Sequence, residues 1–359
     1  MDRLKFPKPE SVGAVSEAAV RAFAEALPRL LTLINDKFSV DARLFSGSSP
    51  EQLALVFDAH KHFGDMLRGI FEFSLYGRML DEFRWYVSAL SSRGLGEEYF
   101  RKMLEGWIIA IHAMIPPREA CELSRPLEWL VSNVSAIYER RESAEGPTNS
   151  QLRQFLDLVL GRNRRDAVDY VLNLKRSGEG VERILSAVVL PAMEELGRLW
   201  EANEISVSDE HAATEISRYA LHRLMDQLPR EKPLGLKAIV SCVPGEQHDV
   251  GAQLTAAYLE TKGWDVVYLG RSTPESDLLK TVTEDRPAVC VFSIALIARL
   301  PASRDLFLRI RDAAPATKII AGGHAAEMAS ETLAPYVDAV VSGIYETHEL
   351  ALKIVRGNA

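Results

Sequence analysis

Three places in this 359-residue chain combine residue types that do chemistry. In "VPGEQHDVG", Glu246 precedes His248 by two positions, Asp249 follows it, and Gly251 comes three residues after the histidine. An imidazole whose second nitrogen meets a carboxylate is oriented and made more basic, which is how proteins prepare a histidine to hold a metal ion. Taken alone, a loop histidine at a strand end is more often a solvated or capping residue than a metal ligand; the spacing to Glu246 and Gly251 is what argues for the ligand. Upstream, "GRLWEANEISVSDEHAATEIS" offers Trp200, then nine residues, then Glu210 and His211, with Val207 three before the glutamate. An aromatic face gives contact area and a carboxylate accepts from two hydroxyls. The same residues also read as an ordinary helix start, with Ser208 or Asp209 as N-cap and Glu210 in the first turn. Finally, Ser293 and the pair Gly322-Gly323 end short apolar runs. Missing side chains there admit a ligand, although two glycines after a strand are more often only a turn.

The elements that position these residues fall into three regions, separated by "ERRESAEGPTNSQ" around 140–151 and "LPREKPLG" at 228–235. Residues 1–145 form an all-helical domain: apolar residues recur at helical spacing in five segments between 14 and 142, which predicts a globin-like or bundle arrangement. Starts are expected at Ser49-Pro50 and Gly96, and Pro116-Pro117 stop the fourth helix. Residues 150–230 hold four more helices, enough for a four-helix bundle. From 235 to 359 the period changes. The runs "KAIVSCV", "DVVYLG", "AVCVFSI", "KIIAGG" and "DAVVSG" alternate with helical stretches. That alternation predicts an α/β, Rossmann-like (flavodoxin-like) domain with a five-stranded parallel sheet, whose ligands bind beyond the carboxyl ends of the strands.

Bulk composition narrows the classes. Apolar residues make up 47% and charged residues 26%, and no apolar run is long enough to span a bilayer, so no membrane association is expected. The three cysteines, Cys121, Cys242 and Cys290, lie far apart, which fits a reducing cytoplasm. A net charge of −8 gives no electrostatic footprint for DNA, and the basic "GRNRR" at 161–165 reads as a solvated helix start.

Glu246, His248 and Gly251 resemble the cobalamin-binding signature Asp-x-His-x-x-Gly. The resemblance implies that His248 is the lower axial ligand of cobalt, replacing the dimethylbenzimidazole base, and that Glu246 accepts a bond from its other nitrogen. Glutamate in place of aspartate is a departure of one methylene. Ser293, Gly322 and Gly323 match positions beside the displaced nucleotide tail, although the usual Ser-x-Leu reads "SIA" here with Leu296 one place late. The preceding four helices are similar to the cap of corrinoid proteins. Trp200, Val207, Glu210 and His211 resemble the adenosyl pocket of adenosylcobalamin photoreceptors of the carotenoid-gene-repressor type. In those the residue after the tryptophan is a histidine that takes cobalt after photolysis; here it is Glu201.

The helical domain ahead of such a sensor resembles, in architecture, the photocobilins, which imply biliverdin as a second chromophore. His60, His62 and His112 are then candidate bilin contacts, with Arg68, Arg78 and Arg84 for propionates. Each has a plainer reading: His112 as a core histidine, His60 and His62 on a solvated turn, the domain as a dimerisation bundle. The expectation is a non-enzymatic light sensor binding adenosylcobalamin. Without a helix-turn-helix or an output domain, it would signal through a light-dependent homo-oligomer (dimer) or a separate effector, not by direct DNA binding. The alternatives are a corrinoid methyl-carrier subunit and a flavodoxin-like module without corrinoid.

Overall fold

The computed structural model describes residues 15–40, 50–139 and 149–357. Ser49 and most of the first expected boundary lie outside the described residues. The helical domain contains α1 (Glu17–Val40), α2 (Pro50–Glu72), α3 (Met79–Ser91), α4 (Glu97–Met114) and α5 (Pro117–Glu139). Each buries one stripe; in α1 it is Phe23, Leu27, Leu30, Ile34 and Phe38, spaced three or four apart so that they fall on one face. Gly96 is the N-cap of α4, and α4 ends just before Pro116.

The second region is α6 (Ser150–Leu160), α7 (Arg164–Arg176), α8 (Val181–Ile184), a π turn at Leu185–Val189, α9 (Leu190–Glu201) and α10 (Val207–Met225). Pro191 has no N–H to donate within the helix, and the backbone widens into the π turn just before it. Asn149 caps α6 by accepting from Gln151 and Leu152. The bundle closes on its own core of residues such as Phe155, Val171, Val188, Leu196 and Leu221.

The third region is a parallel sheet of β1 (Lys237–Cys242), β2 (Asp265–Gly270), β3 (Val289–Ser293), β4 (Lys318–Gly322) and β5 (Ala339–Val341), in the order β2-β1-β3-β4-β5. Its helices are α11 (Val250–Thr261), α12 (Glu275–Asp285), α13 (Leu300–Ala313), the short α14 (His324–Met328) and α15 (Ser330–Leu333), and α16 (Ile344–Val355). The strand order reverses between β1 and β3, so the loops leaving these strands diverge and open a crevice at their carboxyl ends. His248 stands in the first of those loops, and a 3₁₀ turn, Ile297–Arg299, stands in the second.

The helical domain is not an appended bead. One continuous apolar cluster runs from Phe23, Phe63 and Leu67 to Phe292, Ile297 and Phe307 on one face of the sheet. Helix α2 makes the junction: His62, Asp65, Gly69 and Glu72 recur at helical spacing on one face. Of these, Gly69 meets the 3₁₀ turn and Glu72 receives Arg304 of α13 at 2.8 Å. A Cβ on Gly69 would lie 2.3 Å from the Ile297 carbonyl oxygen, so only glycine permits this approach. Gly69→Ala is therefore expected to cost about 1–3 kcal/mol by forcing the two units apart, measured by chemical denaturation. An unchanged midpoint would contradict the docking.

Candidate cobalamin site

The centre of the crevice is a buried carboxylate. Glu246 is fully buried, and its Oε1 accepts the backbone N–H of Gln247 at 2.9 Å and of His248 at 3.0 Å, and lies 2.6 Å from His248 Nδ1. Oε2 accepts the N–H groups of Ala295 and Leu296, at 3.0 and 3.1 Å, from the loop after β3. One side chain thus ties together both loops of the switch point and fixes the imidazole. Burial pushes the Glu246 carboxyl upward, but the bonds from His248 and Ala295 outweigh it and hold the group below the usual carboxylate range. His248 moves the other way: the Glu246 bond raises it above 6.5 against the opposing effect of burial. Its side chain remains 63% exposed while its partner is sealed, so Nδ1 is committed and Nε2 is left available to hold a metal ion.

Asp249, the N-cap residue of α11, is buried beside it. Arg218 of α10 reaches it at 2.9 Å, and the Tyr268 hydroxyl donates to it at 3.2 Å. Arg218 and Tyr268 escaped sequence reading because neither stands in a motif; the buried acid beside a candidate ligand was the available signal.

Behind the loop, Gly251, Ser293, Gly322, Gly323, Gly343 and Thr347 line a cavity of about 190 Å³. Gly323 has φ +97° and its Cβ would meet the Ile294 carbonyl at 2.6 Å; one on Gly322 would meet Val341 at 2.9 Å. Glycine at these positions keeps the channel beside the sheet open. An oriented, exposed imidazole next to a cradle of small residues fits a corrinoid with its base displaced: His248 would hold cobalt, and the cavity would receive the nucleotide tail.

In the cap, Trp200 stands in the last turn of α9, and Arg93 of the helical domain lies 4.3 Å over its ring. Glu201 accepts from Trp85 Nε1. Ser206, rather than Ser208 or Asp209, is the N-cap of α10, and Asp209 at N3 completes a capping box. Ordinary capping is therefore satisfied without Glu210 and His211, which pair with each other at 2.7 Å. Val207 and His211 are exposed.

The helical domain corrects two sequence readings. His60 and His62 are not on a turn but inside α2. His60 falls on the core stripe, fully buried, with Nδ1 2.8 Å from Asn35 Oδ1, and burial lowers its pKa to about 4. His112 is exposed, one position off the stripe formed by Trp107 and Ile111, rather than a core residue. Arg68 is paired with Glu72, Arg84 stands near Asp81, and Arg78 is exposed. Among the described residues no cluster of His, Cys, Asp and Glu forms a metal site of its own, and no helix is long and apolar enough to cross a membrane.

Comparison with known families agrees with this geometry. Residues 236–353 match the family model described as B12 binding domain, and residues 151–225 match a second model of the same description. The cofactor is cobalamin. The chain is similar to the HTH-type transcriptional repressor CarA of Myxococcus xanthus, 29% identical over 171 residues, 48% of this chain and 57% of that protein. It is also similar to the repressor CarH of the same organism, 29% identical over 130 residues, 36% of this chain and 42% of that protein. The cobalamin module thus spans about half the length of these relatives, which are repressors rather than enzymes. Dimethylamine corrinoid protein 3 of Methanosarcina acetivorans is 22% identical over 182 residues, 50% of this chain and 84% of that one. The monomethylamine corrinoid protein of Methanosarcina barkeri shares the fold, with a TM-score of 0.50 at 19% identity over 57% of this chain and 98% of that one.

Glu246→Gln is expected to lower the His248 pKa in the ligand-free protein, followed by NMR titration, and to weaken cobalamin binding by about 10–100-fold. The sign also fixes a pH dependence. Because the His248 value is raised and the Glu246 value lowered, the pair's contribution to stability is full between about 4.5 and 6.5, is lost as pH rises through the raised histidine value, and is lost again as pH falls through the lowered carboxylate value. The substitution should flatten that alkaline slope; a persisting slope would contradict the assignment.

Proposed function

We propose that this protein is a light sensor that binds adenosylcobalamin with its base displaced, with His248 below cobalt and Trp200, Val207, Glu210 and His211 around the upper ligand. Support comes from one observation above all: the cap is tied both to the His248 loop and to the helical domain. On one side Arg218 of the cap pairs with buried Asp249, next to His248. On the other, Trp85 and Arg93 of the helical domain engage Glu201 and Trp200. A methyl carrier, the reading favoured by the likeness to the dimethylamine corrinoid protein, must free its upper face for a partner enzyme. Opening this cap breaks the ion pair of Asp249 with Arg218 and leaves the acid with only the Tyr268 hydroxyl and the Gln253 amide as partners. A closed cap suits a bulky upper ligand that leaves only when light cleaves it.

Because Glu201 is occupied by Trp85, loss of the adenosyl group acts on the contact between cap and helical domain. Its consequence is a change in subunit association, as a homodimer, or in binding of an effector. Biliverdin as a second chromophore rests on architecture; of its candidate contacts, His62 lies on the face of α2 that carries the junction.

The protein loaded with adenosylcobalamin in darkness is expected to change its absorption spectrum irreversibly under green light, and an unaltered spectrum would rule out the sensor. Arg218→Met should raise hydrogen exchange in α10 at least tenfold. Unchanged protection would remove the closed-cap argument and favour the carrier.

A further inference from the structure

The seam between the helical domain and the loop after β3 holds a cation with no counter-ion and no acceptor for its Nε among the described residues. Arg299 ends the 3₁₀ turn, and its guanidinium lies against Gly245 of the His248 loop, where a Cβ would be 3.1 Å from Nη1 and 3.4 Å from Cζ. Its Nε is sealed from solvent and donates to nothing. The carboxylates nearby are committed elsewhere: Glu246 to the loop amides, Glu72 to Arg68 and Arg304, and Asp65 to Lys61. On α2, His62 is near enough to feel the Arg299 charge, and its ring lies 5.6 Å from that of Trp85. Burial, then the Arg299 charge, lowers the His62 pKa, so that imidazole stays neutral. A charged donor sealed without an acceptor costs about 1–3 kcal/mol or more. Such a group persists where a ligand supplies the missing acceptor.

We propose that Arg299, backed by Gly245 and flanked by His62, is a subsite for the carboxamide oxygens on the rim of the corrin ring. The inference rests on cobalamin binding at His248. Gly245 and His248 are three residues apart in one loop, so a macrocycle centred over His248 brings its rim toward the group that rests on Gly245. That rim carries acetamide and propionamide chains, whose carbonyls accept N–H bonds, and a guanidinium offers a planar fork of donors to meet them. The phosphate belongs to the nucleotide tail, on the other side of the loop in the cavity lined by Ser293 and Gly322. Because α2 covers the outer side of the 3₁₀ turn, the helical domain becomes a wall of the cobalamin site.

The test is equilibrium titration of the full chain with hydroxocobalamin, followed by absorbance, which does not depend on photochemistry. Arg299→Met is expected to weaken binding about tenfold, the loss of one charge-assisted hydrogen bond, while the His248-dependent spectrum is retained. Arg299→Lys should recover part of the affinity. Corrinoids with one rim amide hydrolysed to a carboxylate separate lost contact from lost fold: the wild type should bind one of them at least as tightly as the amide, and the methionine variant should not. Equal affinity of wild type and Arg299→Met would overturn the proposal. So would a variant that binds cobalamin normally but loses affinity for added biliverdin, since the subsite would then serve a separate carboxylate ligand. A wild-type chain that fails to take up hydroxocobalamin would overturn the cobalamin reading itself.

Discussion

The structure depends on a single buried carboxylate. Glu246 gathers five N–H groups, four from the backbone of two loops and one from His248. A carboxylate sealed from water is tolerable only with its lone pairs satisfied, and here both oxygens are. The extra methylene relative to aspartate gives the side chain reach. From the loop after β1 it meets Ala295 and Leu296 beyond β3, closing the switch point while still holding the imidazole. Shortening the residue would force a choice between loop closure and histidine orientation.

Around that centre the three units are joined. The sheet carries the His248 loop, the cap pairs Arg218 with Asp249 beside it, and the helical domain contacts both the cap and the sheet. The continuous apolar cluster between helical domain and sheet makes their separation costly. Movement after loss of an upper ligand is therefore expected where contacts are polar and few, at Trp85–Glu201 and Arg93–Trp200. Such contacts exchange partners at little cost, whereas packed apolar surfaces do not.

The periodicity change at 236 carried the parallel sheet, and apolar stripes carried the helices, because both patterns follow from burial on one or two faces. The His248 loop was legible because its chemistry is local in sequence. What spacing could not carry was contact between regions. Arg218 finds Asp249 31 positions away, and Trp85 finds Glu201 116 positions away. His60 and His62 looked solvated because Lys61 lies between them. In a helix two residues apart point about 160–200° from each other, so one entered the core and the other the seam. In the stretch after Trp200 the N-cap fell to Ser206, with Asp209 closing the capping box, because a capping box is fixed by backbone geometry that several neighbouring Ser and Asp residues could satisfy equally well in sequence.

The most direct test of the central claim, that Glu246 presents His248 to cobalt, is electron paramagnetic resonance of the protein with cob(II)alamin bound, prepared with and without ¹⁵N-labelled histidine. The account predicts that axial superhyperfine lines change from triplets to doublets on labelling. Triplets that persist in the labelled protein would mean that the cofactor keeps its own base, and would contradict it.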